Sequence, residues 1–225
     1  MRKKPKAKRQ YVEPTVPVSA ALGLAAGAAR RWMLFVDGEN FTLRGQEFAK
    51  ANGIELKVGK HYVPNVFLWL PGEGARNSMV PHAPLVVQPA ALRAYYYTSA
   101  VGDEDRLQEL RQGLWELGFQ GEVFKKEKQQ QKSKGVDITL ARDFLSNAYM
   151  NNYDAAVLIA GDADYLPIVN EVKRMGKLVY VIFFHGQGSG LNLKLHLASD
   201  QFFSINDSFR DAWRPVFHRQ ARATP

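Results

Sequence analysis

The chain has 225 residues, 46% hydrophobic and 23% charged, with no cysteine and a formal charge of +8. That length suits one generous domain or a domain with tails, and the apolar share argues against wholesale disorder. Without thiols there is no disulfide scaffold, cysteine-ligated zinc or iron–sulfur site, and no cysteine nucleophile.

The positive charge belongs to the ends. Residues 1–31 carry eight basic side chains against Glu13 alone, and residues 210–225 carry four arginines against one aspartate. The stretch 32–209 is therefore left at about −2, close to neutral. Attraction to a polyanion would come mainly from basic arms. Residues 18–29 (VSAALGLAAGAA) are fewer than the roughly 18 apolar residues of a membrane span. Glu13, Pro14 and Pro17 separate them from the basic cluster, so 1–31 reads as a disordered basic leader with a short Ala-rich helix or linker, not a signal peptide. A cytoplasmic location without membrane contact is expected.

Residues 32–36 (WMLFV) form a continuously apolar run ending in Asp37-Gly38, the pattern of a strand buried on both faces. A helix over 40–50 closes near Asn52-Gly53. Residues 54–91 read as an irregular insertion with one strand at 66–70, and its His61 and His82 as unclustered loop histidines. From there the rhythm is regular. Strand 92–98 leads into helix 103–117, whose opening acids complement the helix dipole. Strand 119–124, a Gln/Lys-rich loop at 125–134 and helix 135–150 follow. Strand 155–160 (AAVLIA), helix 165–175 and strand 178–184 (LVYVIFF) come next. The Gly-rich loop 186–190, a short helix at 191–198 and a final strand at 202–205 close the series. Strands alternating with helices of this length predict an α/β fold, a parallel sheet with helices on both faces.

In open α/β sheets, sites form beyond the carboxyl ends of the strands. Asp37 follows the first strand; Asp162 and Asp164 follow strand 155–160. If these two strands are neighbours, the three acids meet at one edge. In helix 135–150 the apolar face runs through Leu140, Ala141, Phe144, Leu145 and Ala148, and Asp137 continues it at the amino end. An acid on a core-facing stripe is costly unless neutralised, whereas Asp143 is expected to be solvated. Each acid also has a plain structural alternative: Asp164 as a helix cap, Asp162 and Asp37 as turn residues, Asp137 as a cap or a partner of Lys134. Taken together, four converging carboxylates repel and raise one another's pKa values unless a cation binds. An all-oxygen donor set suits Mg²⁺ or Mn²⁺, and the chemistry that fits is metal-assisted phosphodiester hydrolysis.

The motifs FVDGEN (35–40), RAYYY (93–97), KGVDITLARD (134–143), VLIAGDADYLPIV (157–169) and LHLASDQFF (195–203), in this order, resemble the NYN domain family, a branch of the PIN-like, FEN-related nuclease superfamily. The resemblance covers roughly residues 32–205 and implies a PIN-like three-layer α/β/α fold with a mostly parallel sheet of five or six strands. The expected organisation is a leader at 1–31, the nuclease domain at 32–208 and a basic tail at 209–225. The resemblance also implies an Mg²⁺- or Mn²⁺-dependent ribonuclease, with endonucleolytic cutting the expected mode. It makes Asp37, Asp137, Asp162 and Asp164 the catalytic, metal-binding acids. Asn40 would support the first acid and Lys134 would approach a substrate phosphate, while Asp200 matches a recurrent acid whose role is either supporting or a structural hydrogen bond. Ala160 and Tyr165 stand where many members carry Ser and Phe.

RNA is the expected partner, gripped by the leader, the 125–134 loop and the C-terminal arginines; a homo-oligomer stays open. Tyr96, Tyr97 and Phe183 are either stacking platforms or, as usual for aromatics in such strands, core; the 186–190 loop either admits phosphate or simply connects. Two further functional readings stand beside the nuclease. One is a non-catalytic RNA-binding or regulatory module that keeps the fold. The other is a phosphatase of the haloacid-dehalogenase type, for which Glu39 stands where a second aspartate is wanted.

Overall fold

A computed structural model describes residues 31–56, 62–63, 67–68, 91–128 and 135–213. The leader, most of the 54–91 insertion with both of its histidines, Lys134 and the chain beyond 213 lie outside the described residues. In chain order the elements are β1 (Trp32–Asp37), α1 (Gly38–Ala51), the antiparallel pair β2 (Tyr62–Val63) and β3 (Phe67–Leu68), β4 (Arg93–Ala100), α2 (Glu104–Glu116) and β5 (Gln120–Lys125). Then come α3 (Val136–Tyr149), β6 (Ala155–Ile159), a 3₁₀ turn (Ala163–Tyr165), α4 (Leu166–Arg174), β7 (Leu178–Phe183), α5 (Leu193–Ala198), β8 (Gln201–Ser204) and α6 (Asn206–Trp213).

Six strands form one sheet in the order β5-β4-β1-β6-β7-β8, and every pairing in it is parallel. The expected α/β class and sheet size are therefore observed. β1 is central, and all six of its residues are buried, as a strand covered on both faces requires. Its side chains alternate between two cores. Trp32, Leu34 and Val36 join Phe41 and Phe48 of α1, Leu107, Leu110 and Leu114 of α2, and Phe209 of α6. Met33 and Phe35 join Leu140 and Phe144 of α3, Val169 and Val172 of α4, and Leu195 of α5. This partition is the three-layer arrangement: α1, α2 and α6 on one face, α3, α4 and α5 on the other.

Tyr96, Tyr97 and Phe183 are fully buried, so they are packing residues and not stacking platforms. Glycines explain how their rings fit. A Cβ on Gly38 would run into the ring of Tyr96, and one on Gly161 into the ring of Phe183. The glycines of the Asp-Gly and Gly-Asp pairs thus serve ring packing at the strand ends. The 186–190 loop is a docked connector. A Cβ on Gly188 would meet Ala51 and the backbone of α1, and Gly188 also has φ +76°, which glycine alone adopts without strain.

The folded body continues past the expected boundary at residue 208. In α6, Phe209 is fully buried and meets Phe184 and Phe48 edge-on at centroid distances of 5.0 and 6.0 Å. Arg210, counted above among the basic tail, lies 5.5 Å over the Phe48 ring and donates to Asn52 Oδ1 at 2.9 Å. Its charge had marked the segment as tail, but the apolar anchor one residue earlier decides its place.

Phe209→Ala should therefore lower the unfolding free energy by about 3–5 kcal/mol, the usual cost of emptying a buried phenylalanine site. Urea denaturation of the full chain checks this; an unchanged midpoint would mean that α6 is not part of the core.

Candidate active site

The chain lays β4 and β5 on one side of β1, then returns to place β6, β7 and β8 on the other. Strand order thus reverses between β1 and β6, and the crevice beyond their carboxyl ends is where such sheets bind ligands. Asp37 ends β1 and Asp162 follows β6 by two residues beyond Ala160. Two hydrogen bonds set this edge. Asn40 donates its backbone N–H to Asp37 Oδ1 at 3.0 Å, and its side-chain Oδ1 accepts from Gly161 N at 3.0 Å. Asn40 therefore donates to the first acid through its backbone and ties the two strand ends together through its side chain.

The alternation along β1 gives Asp37 the parity of Met33 and Phe35, and it faces the α3 and α4 side. There Tyr165, closing the 3₁₀ turn, donates its hydroxyl to Asp37 Oδ2 at 2.7 Å and lies 3.2 Å from Asp137 Oδ1 at the start of α3. Asp37 is only 3% exposed. Burial pushes its carboxyl up to about 7, against the Asn40 and Tyr165 hydrogen bonds, with the charges of Asp137 and Glu39 adding to the rise. Asp137 is likewise held above the ordinary range, first by partial desolvation, then by the negative charges of Asp162, Glu39 and Asp164. Among the described residues, no lysine or arginine pairs with Asp37, Asp137, Asp162 or Asp164.

The structure thus brings Asp37 and Asp137 onto one hydroxyl, with Asp162 and Asp164 at the rim, close enough to act on Asp137. Asp162 accepts from Asp164 N at 3.3 Å and caps the turn; Asp164 lies inside the turn and caps nothing. Among the described residues, no three His or acidic groups converge tightly enough to form a ready-made metal cage. The donor chemistry nevertheless fits Mg²⁺ or Mn²⁺, which take one or two carboxylates and complete their shells with water and substrate phosphate.

Two expectations are corrected, and one left open is narrowed. Asp137 is exposed at the rim, and the buried stripe of α3 runs through Val136, Leu140, Phe144, Asn147 and Ala148. The deeply buried acid is Asp37 instead. Asp143 is not freely solvated: it accepts from the Tyr97 hydroxyl at 3.0 Å and pairs with Arg142 at 2.8 Å. Asp200 lies at the opposite, amino end of the strands. It accepts from Val179 N at 2.7 Å and pairs with Lys173 at 3.0 Å, fixing the start of β7 against β8. Its role is the structural one.

Sequence reasoning passed over a buried ion pair beside the site. Glu39 accepts from Ser99 Oγ at 2.6 Å and from Lys126 Nζ at 3.2 Å, and the Lys126 side chain is only 6% exposed. Lys126 had been counted among the lysines of the 125–134 loop. The available signal was its position directly after β5, at the edge where Glu39 also stands.

A family model described as NYN domain matches residues 31–206. No curated protein matches the chain. Among solved structures, the chain is similar to a crystallised protein of unknown function from Vibrio parahaemolyticus, at 19% identity and a TM-score of 0.55. The match covers 83% of this chain and 99% of that one, and it shows a shared fold.

The buried carboxyl predicts a pH dependence. Asp37 titrates near 3.8 when unfolded and near 7 when folded, so between these values the native state holds the extra proton. Without divalent ions, its contribution to stability is fully present below about pH 4 and is lost as pH rises through about 7. Asp37→Asn removes this loss. In chelator, the variant should melt progressively higher than the wild type from pH 5 to pH 8, by a margin on the order of a few kcal/mol at the upper end. Parallel melting curves across that range would contradict the assignment.

Proposed function

The chain belongs to the NYN domain family, with a nuclease-type fold, and from that membership we propose that it is a ribonuclease using Mg²⁺ or Mn²⁺ to hydrolyse RNA phosphodiester bonds. The observation that carries the reading is the buried Asp37 carboxyl sharing the Tyr165 hydroxyl with Asp137 at the point where strand order reverses. Two acids held together at a sheet edge without a cationic partner among the described residues suit a hard cation from solution. Asp37 and Asp137 are the residues that would hold it. When bound, such an ion supplies a water activated for attack and neutralises charge on the leaving oxygen.

The chain's own groups have separate tasks. Asn40 orients Asp37 through its backbone N–H. Asp162 and Asp164, on the turn after β6, contribute negative potential and hydrogen-bond acceptors at the mouth. Lys134, on the 125–134 loop, is assigned to a substrate phosphate. Asp200 takes no part, since it sits at the far end of the strands. The basic residues of 1–31 and of the chain's end are assigned to backbone phosphates. No helix among the described residues is long and apolar enough to cross a membrane.

With Mg²⁺ or Mn²⁺ the purified protein should cut RNA, and chelation should stop it. Asp37→Asn and Asp137→Asn should each reduce cutting to background, and Asp162→Asn should lower it, while the fold persists by circular dichroism. Activity surviving in Asp37→Asn, or none in the wild type over varied RNA substrates, would defeat the proposal; retained binding without cutting would favour the non-catalytic module. Removing residues 1–30 should also flatten the dependence of log affinity on log salt, each lost phosphate contact reducing the slope by about 0.7–0.9. An unchanged slope would show that the leader does not touch the nucleic acid.

A further inference from the structure

Resting on that functional reading, we propose that the Tyr165 hydroxyl is a positioning residue that sets the separation of Asp37 and Asp137 and thereby determines how well the pair accepts a divalent ion.

Among the described residues, the hydroxyl's hydrogen bonds go to Asp37 Oδ2 at 2.7 Å and Asp137 Oδ1 at 3.2 Å. Two carboxylates left to themselves repel and draw apart. A hydroxyl between them supplies one proton to the nearer oxygen and its positive end to both. The phenol cannot follow them if they separate, because its ring is 2% exposed and belongs to the core that includes Phe35, Leu140 and Val181. Its backbone is equally fixed, since it closes the 3₁₀ turn capped by Asp162. The hydroxyl therefore joins three elements at a single point: the end of β1, the start of α3, and the turn carrying both rim acids.

The same geometry distinguishes a tether from a plug. A plug must leave when an ion arrives, and a ring this deeply packed has nowhere to go. Asp37 Oδ1 takes the Asn40 N–H and Oδ2 takes the Tyr165 O–H. Each oxygen retains a further lone pair, so an ion can bind while both hydrogen bonds persist. Outer partners of this kind orient the carboxylates that bind a metal, and their loss typically costs 10–100-fold in metal affinity. A phenylalanine in this place would fill the same space in the core and leave the two acids untethered.

Calorimetric titration of the full chain with Mn²⁺ tests the assignment, with wild type, Tyr165→Phe, Asp137→Ala and the double variant compared. Tyr165→Phe should bind Mn²⁺ about 10–100-fold more weakly, while the same change in the Asp137→Ala background should cost little, because that background has already lost the acceptor at one end of the bridge. A merely structural hydroxyl would lower the metal-free melting temperature and leave Mn²⁺ affinity unchanged, which overturns the proposal; so does tighter binding by Tyr165→Phe, the mark of a plug. If Tyr165→Phe does not fold, the wild-type difference spectrum decides: Mn²⁺ should perturb a buried tyrosine band, and its absence overturns the tether. No Mn²⁺ binding by the wild type overturns the functional reading together with the tether, whereas wild-type binding indifferent to Tyr165→Phe overturns the tether alone.

Discussion

Asp37 is a carboxylate placed where a carboxylate is expensive to keep charged, and the surrounding structure is organised by that constraint. Even after relaxation, removing a charge from water costs several kcal/mol. The two hydrogen bonds it receives, at roughly 1.5–3 kcal/mol each for a charged acceptor, offset only part of this, which is why its pKa stays raised toward 7. A buried cation stands in the same neighbourhood, but Lys126 is committed to Glu39, which Ser99 also holds. The fold has thus neutralised one acid at this edge internally and left the adjacent pair dependent on what solution supplies. A site meant only for stability would place its lysine the other way round.

The placement of Asp37 follows from strand geometry of the simplest kind. Successive side chains of β1 alternate between two cores, and the acid occupies the position that falls on the α3 side. One residue earlier or later it would face α1 and α2, away from Asp137 and Tyr165. Gly38 and Gly161 then close the far side of the strand ends by admitting the rings of Tyr96 and Phe183. The motif glycines and the buried aromatics are therefore one packing solution that frees the strand ends for polar groups.

Much of this was legible in the amino-acid sequence, and the gaps have physical causes. The apolar runs and their spacing were enough for the parallel sheet, and the Asp-Gly and Gly-Asp pairs marked the edge at which Asp37 and Asp162 stand. The α3 face was misjudged because Ala141 and Leu145 were counted into its stripe, whereas the buried line includes Val136 and Asn147. Asp137 is exposed because it lies in the first turn of α3, at the crevice edge, and Asp143 meets the Tyr97 hydroxyl. Motif position alone left Asp200 open between a supporting and a structural role, since the end of the strands on which an acid sits depends on where β8 begins. Tyr165 could be recognised as a departure from the family pattern, but nothing in a linear string reveals which two acids its hydroxyl will meet.

The distribution of charge separates holding a substrate from acting on it. The mouth of the crevice is acidic, with Asp137, Asp162 and Asp164 at its rim, and an approaching phosphodiester is repelled by it. A divalent cation reverses the local sign only where it sits. Beyond roughly 8–10 Å in physiological salt its field is screened, so it cannot gather a polyanion from a distance. In the proposed reading that task is assigned to the basic residues of 1–31 and 210–225, which carry a net positive charge while residues 32–209 are slightly negative. On that proposal, affinity for a nucleic acid and chemistry at the acid pair would be supplied by different parts of the molecule, and a change in one need not be felt in the other.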